Sequence, residues 1–316
     1  MSNMTMDSDE ISTRIVGGYM IFAASMGVLI NLFMFYHFLS LEKTVFYILC
    51  SSKSISNTLV LLIYFGYIGP INAFYAAIGS DTLSGYLNQA MGFGLYLQGP
   101  TTQLMITINR FLVVWCSPVN TPRYSTRITV AAMAISWLFT VWFSTLIGMP
   151  DICRFPFSFD HVPFPDYSEN DYQCVEALIS FLIYYLLVLA VSTNFMNILI
   201  AIKLFCLSKS SKSLSSESAK SRRRSNIRFF LQSCFQDWIC MVDVAVNHLS
   251  LEYCEMNVCA VLVSMGFDVM VYVVDGLIMY LFNYRINLKP KSTPSTRKTV
   301  KVGLINSENS LPPVSS

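Results

Sequence analysis

Charge is scarce in this chain, histidine is scarcer, and each shortage excludes something. Only 13% of the 316 residues are charged, 54% are hydrophobic, and the mean hydropathy is +0.51. That balance excludes an ordinary soluble domain. The three histidines, His37, His161 and His248, fall on separate segments, so the clustered ligands of a membrane metallohydrolase are missing. No catalytic constellation, metal site or cofactor motif is expected. The opening run MSNMTMDSDE holds no basic residue, which excludes a cleavable signal peptide. No internal repeat of the kind that marks many carriers is visible.

What the chain has is seven long apolar stretches, at roughly 15–39, 44–68, 86–115, 128–149, 177–207, 227–250 and 258–282. Each reaches the ~20 residues needed to cross an oil layer ~30 Å thick at ~1.5 Å rise per residue. If the chain weaves through seven times, its connections alternate sides. One side then holds 18 of the 21 basic residues; the other holds Arg14 and Arg154, with Lys53 inside a span. The positive-inside rule places the N-terminus outside and the C-terminus in the cytoplasm. The expected architecture is therefore an all-α, seven-helix integral membrane bundle. It has an outer tail at 1–14, a helical domain at 15–283 and a polar, Pro-containing inner tail at 284–316 that is expected to be disordered. The basic residues sit beside spans, where anionic lipid is the nearer counter-charge, so the bilayer and not nucleic acid is the partner.

Asn3-Met4-Thr5 fits the N-glycosylation sequon and lies on the outer side. Cys153 and Cys174 fall in one outer loop, where the compartment is oxidising. Closing about 20 residues there would contribute ~3 kcal/mol. Cys254 and Cys259 flank the last outer loop and either pair or serve as small apolar residues. The short connection near Lys43 makes the first two spans antiparallel neighbours. Pro118 and Pro122 are expected to break helix across 116–127, and the Ser-rich run at 209–225 is expected to be mobile.

A charge at bilayer depth costs about 2.5–3.5 kcal/mol on insertion scales. Lys53 stands nine residues into its span, about 13 Å deep at helical rise. Asp275 lies at a similar depth and Asp237 slightly deeper. A Lys53–Asp275 pair would neutralise both charges, Asp237 is the other candidate partner, and snorkelling toward the headgroups is the third possibility. The outer half carries Asp243, Asn247, His248 and Asp268. Asp268 and Asp275 are two turns apart and share a face, as do Asp243 and Asn247. With Tyr96, Tyr272 and Trp238 around them, these form either a pocket for basic or hydrogen-bond-donating ligands or a polar network that holds helices together.

The third span ends in Ile108-Asn109-Arg110-Phe111, followed by Pro118. This resembles the Asp/Glu-Arg-Tyr motif of rhodopsin-like G-protein-coupled receptors, with Asn109 in place of the acid. Asn31 and Trp137 stand near the positions that family expects, whereas its span-six Cys-Trp-x-Pro, its span-seven Asn-Pro-x-x-Tyr and its outer span-three Cys are absent. The departures themselves are similar to one branch. Lys53-Ser-Ile-Ser-Asn57, Asn109-Arg110-Phe111, Cys153 with Cys174, Gln236-Asp237, and Asp275-Gly276 followed by Asn283 resemble the nematode serpentine chemoreceptors, class X most of all. The resemblance implies a chemosensory receptor in the plasma membrane with a heterotrimeric G protein as partner. It implies that Asn109, Arg110 and Phe111 meet that partner, and that Lys53, Asp237, Asp275 and Asn283 form an intramembrane network. The competing reading is a seven-span carrier that uses the intramembrane Asp and Lys residues.

Overall fold

A computed structural model describes the backbone at 2–42, 44–76, 78–115, 122–146, 169–210, 217–253 and 262–283. Side chains are described over these residues except at 2–9, 81–82, 88, 92–93, 122–125, 145–146, 169–176, 178–179, 207–210, 217–223, 247–253 and 264–265.

Among the described residues seven helical segments follow one another. Helix α1 is Ser2–Ser40. Helix α2 is Val45–Ile63, continued by a π-helical turn Tyr64–Ile68 and then Gly69–Phe74. Helix α3 runs through Asp81–Gln89, a π-helical turn Ala90–Leu95 and Tyr96–Trp115. Helices α4, α5 and α6 are Pro122–Leu146, Glu169–Ser210 and Glu217–Tyr253. Helix α7 is a π-helical turn Leu262–Gly266 leading into Phe267–Asn283. No strand occurs among the described residues.

Among the described residues five segments, Glu10–Ser40, Val45–Phe74, Thr126–Ser144, Ser180–Cys206 and Arg224–Val246, are long and apolar enough to cross a membrane on their own. Helix α3 is not among them, for a physical reason, and the α-helical part of α7, Phe267–Asn283, is only 17 residues long. Helix α3 packs against α2, α4, α5 and α6 and spends its buried face on Gln98, Thr102, Gln103, Thr107 and Arg110. A helix enclosed by others meets little lipid and is free to be polar. Helix α7, packed against α1, α2 and α6, buries Asp268, Asp275 and Asn283.

Local chemistry sets several boundaries. The Thr44 hydroxyl accepts from the Tyr47 amide at 3.4 Å, and the Ser80 hydroxyl from Leu83 at 3.3 Å, each capping a helix start. Helix α2 stops where Tyr75 turns left-handed, φ 51°. Two expectations need correction. Pro122 opens α4 instead of prolonging a break, because a first-turn proline lacks only an N–H that would be orphaned anyway. The Ser-rich run is not one loop: α5 reaches Ser210 and α6 starts at Glu217. The Lys and Arg residues from 220 onward are good helix formers and extend α6.

Burial is inside-out relative to a soluble protein. Phe22, Leu138, Tyr184, Phe195 and Trp238 are each more than 60% exposed, while Lys53, Asn57, Gln98, Asp243 and Asp275 are buried. Lipid can cover apolar faces, but buried polar groups must find partners within the bundle. Three apolar clusters frame the polar interior. One joins α1, α2, α3 and α7 around Met20, Tyr64 and Val269. A second gathers Met34, Phe46, Ile106, Phe229 and Met279, and a third holds Leu97, Phe143 and Leu186.

Candidate functional site

The middle of the bundle is occupied by one connected polar network. Lys53 Nζ lies 2.9 Å from Asp275 Oδ1 and donates to Gln103 Oε1 at 2.8 Å. Asn57 donates to Asp275 Oδ2 at 2.6 Å and Gln236 donates to Oδ1 at 2.9 Å. The carboxylate thus collects an ammonium and two amides from α2 and α6. The network spreads through Asn57 to Asn31 at 3.2 Å, and Asn31 donates to the Tyr272 carbonyl at 3.2 Å. Gln103 donates to the Ser233 hydroxyl at 3.0 Å, with Thr107 Oγ1 3.2 Å from the same hydroxyl. Gly276 is required beside Asn31: a Cβ there would stand 2.6 Å from Asn31 Nδ2.

The structure selects among the proposed partners of Lys53. Asp275 is the ion-pair partner. Asp237 lies within electrostatic reach of Lys53 and shares a hydrogen bond with Gln103, and it accepts from Asn197 Nδ2 on α5 at 2.5 Å. Asn283 stands apart from the pair, donating to Gln232 Oε1 on α6 at 3.0 Å. Snorkelling is excluded for Lys53, which is 5% exposed.

Toward the other end, α6 and α7 bring two carboxyl groups together. Asp243 is buried and accepts from the Tyr96 hydroxyl at 3.1 Å. Asp268 is buried and accepts from the Tyr64 hydroxyl at 3.4 Å. The two carboxyl groups are near enough to share a hydrogen bond, and the Tyr272 phenol lies within electrostatic reach of both. Tyr64 was not anticipated from the sequence. Trp238 is a correction: it is 66% exposed and faces away from this cluster. Asn247 and His248 lie on α6, but their side chains are outside those described, as are the side chains of Asn3 and Cys174. Cys153, Cys254 and Cys259 lie outside the described residues altogether.

At the opposite end Arg110 is 6% exposed and sandwiched between rings. Its guanidinium carbon is 3.6 Å from the Phe46 centroid and 4.2 Å from that of Phe229. Asn109 and Phe111 are half-buried, and Phe111 stacks on Trp115 with centroids 5.6 Å apart. Sequence reasoning missed Phe46, Phe229, Gln103 and Gln232. Gln103 had a signal, since it lies two turns before Arg110 on the same face. The two phenylalanines had none, because only the packing of α2 and α6 against α3 brings them to Arg110.

The fold is similar to that of squid rhodopsin: the TM-score is 0.64, covering 87% of this chain and 83% of that one at 13% identity. At that identity the likeness speaks for the fold alone. No curated protein matches the sequence. The model of the family described as serpentine-type 7TM GPCR chemoreceptor Srx matches residues 21–283, from α1 to the end of α7. The chain belongs to the Srx family of serpentine seven-transmembrane G-protein-coupled chemoreceptors.

Proposed function

We propose that this chemoreceptor lies in the plasma membrane with its N-terminus outside and its tail in the cytoplasm. There it binds a basic, hydrogen-bond-donating ligand between α3, α6 and α7. The observation that carries this reading is the convergence of Asp243 and Asp268 with Tyr64, Tyr96 and Tyr272. Carboxyl and phenol oxygens at one point are the acceptors that a protonated amine needs, in a low dielectric that strengthens each contact. Asn247 and His248, on the same helix as Asp243, are the further candidates for ligand contact.

Coupling follows from what α6 carries. Asp243 and Phe229 are 14 residues apart on that helix, about 21 Å at helical rise. A ligand that repositions Asp243 therefore also displaces the ring that covers Arg110. Freed from Phe229, Arg110 faces the heterotrimeric G protein, with Asn109 and Phe111 beside it. The test is G-protein recruitment in cells exposed to a panel of protonated amines and matched neutral isosteres. The cationic members are expected to activate the wild type, with activation lost in Asp243→Asn and Asp268→Asn. Equal responses to neutral isosteres would overturn the ligand class. Substrate uptake without G-protein recruitment would overturn the receptor mechanism.

A further inference from the structure

The end of the bundle that holds Arg110 contains guanidinium N–H groups that meet no acceptor among the described residues. Among the described residues, Nε and Nη2 of Arg110 find no acceptor, and neither does Nε of Arg228. Both guanidinium carbons lie over the same ring, 4.2 and 4.5 Å from the Phe229 centroid. The ion pairs among the described residues, Arg14–Glu10 and Lys53–Asp275, involve neither arginine. A ring face attracts a cation but gives an N–H no lone pair, and an unmet donor on a charged group is costly. An oxyanion would supply both counter-charge and acceptor atoms, and the guanidinium fork matches the geometry of phosphate.

Sequence and topology say where that oxyanion comes from. Arg228 is half-buried, and Arg224, one turn earlier on α6, is exposed. Lys220, Arg222 and Arg223 precede them on the same helix. With the basic segments in the cytoplasm, this run lies beside the leaflet that carries anionic lipid, where each basic residue contributes attraction. We propose that Arg110 and Arg228, sharing Phe229, form a phosphate-accepting site at the inner end of α6, and that anionic phospholipid headgroups fill it. Arg228 at the rim meets the headgroup first. Arg110 is reached when the Phe229 ring turns aside, so the lipid favours the open arrangement of α6.

The proposal takes only its orientation from the receptor reading, and its test needs no G protein. The full-length protein is placed in nanodiscs of phosphatidylcholine alone or with phosphatidylinositol bisphosphate, and retained lipid is counted by native mass spectrometry. Wild type is expected to retain the bisphosphate lipid selectively, and Arg228→Gln to weaken that retention about tenfold, the loss of one charge-assisted contact. Arg228→Lys is expected to weaken it less, since the ammonium keeps the charge and loses the fork. Thermal unfolding in phosphatidylcholine discs checks that each variant is folded, and the Lys variant carries the test if the Gln variant is not. Undiminished retention by the variants, or equal retention of phosphatidylcholine, would overturn the proposal. If soluble inositol phosphates protect wild type in phosphatidylcholine discs as well as the lipid does, the phosphate chemistry stands and the lipid source is overturned.

Discussion

Two cations are buried in this bundle to nearly the same extent, and they are held in opposite ways. Lys53, 5% exposed, has a carboxylate at 2.9 Å and an amide oxygen at 2.8 Å. Arg110, 6% exposed, has two phenyl faces and, among the described residues, no carboxylate. Breaking a buried ion pair by removing one partner costs about 3–5 kcal/mol. A desolvated cation–π contact contributes ~2 kcal/mol or less. Lys53 is thus fixed in place, tying α2 to α7 and α3. Under the proposed function Arg110 is a stored cation, held strongly enough to stay out of water and weakly enough for a movement of α6 to release it. A receptor needs both kinds of contact: a mid-membrane fulcrum that stays closed and an inner end that opens.

The largest expected effect is on the fixed side. Lys53→Met and Asp275→Asn should each lower thermal stability in detergent by about 3–5 kcal/mol, and the double variant should recover part of that loss because no orphan charge remains. Strictly additive losses would show that the pair is not the fulcrum. A smaller effect is expected from Gly276→Ala, whose Cβ would stand 2.6 Å from Asn31 Nδ2. Overpacking of that kind typically costs about 1–3 kcal/mol. It should appear as a lowered unfolding temperature, and an unchanged temperature would mean that α1 yields there without loss.

The fixed side was largely legible in the sequence, and the stored side was not. Lys53 and Asp275 announce themselves because a charge in an apolar run demands a partner at its own depth. The surrounding donors were only partly readable. Asn57 and Gln236 lie inside recognisable motifs, but that both donate to one carboxylate depends on how α2, α6 and α7 turn toward each other. Trp238 was misplaced because sharing a helix with Asp243 says nothing of which face it takes: five residues apart they differ by ~140° of helix rotation, which turns Trp238 outward. The π-helical turns in α2, α3 and α7 shift the register of every face beyond them, so periodic spacing cannot carry across them. The Arg110 clamp is the extreme case. Replacement of the motif acid by Asn109 signals that the usual counter-charge is missing, yet nothing local says that Phe46 and Phe229 take its place.

The central claim, that Arg110 is a stored and releasable cation, is tested most directly by agonist-independent G-protein activation of Phe229→Leu. Leucine keeps an apolar side chain there and removes the ring face. The measurement is normalised to surface expression, with Arg110→Ala, which should reach the surface and not signal, as the zero of coupling. Loss of about 1 kcal/mol of closed-state preference corresponds to roughly a fivefold shift in the closed-to-open ratio. The account predicts a basal signal raised by that order. A basal signal equal to or below wild type, from a normally expressed Phe229→Leu receptor, would contradict it.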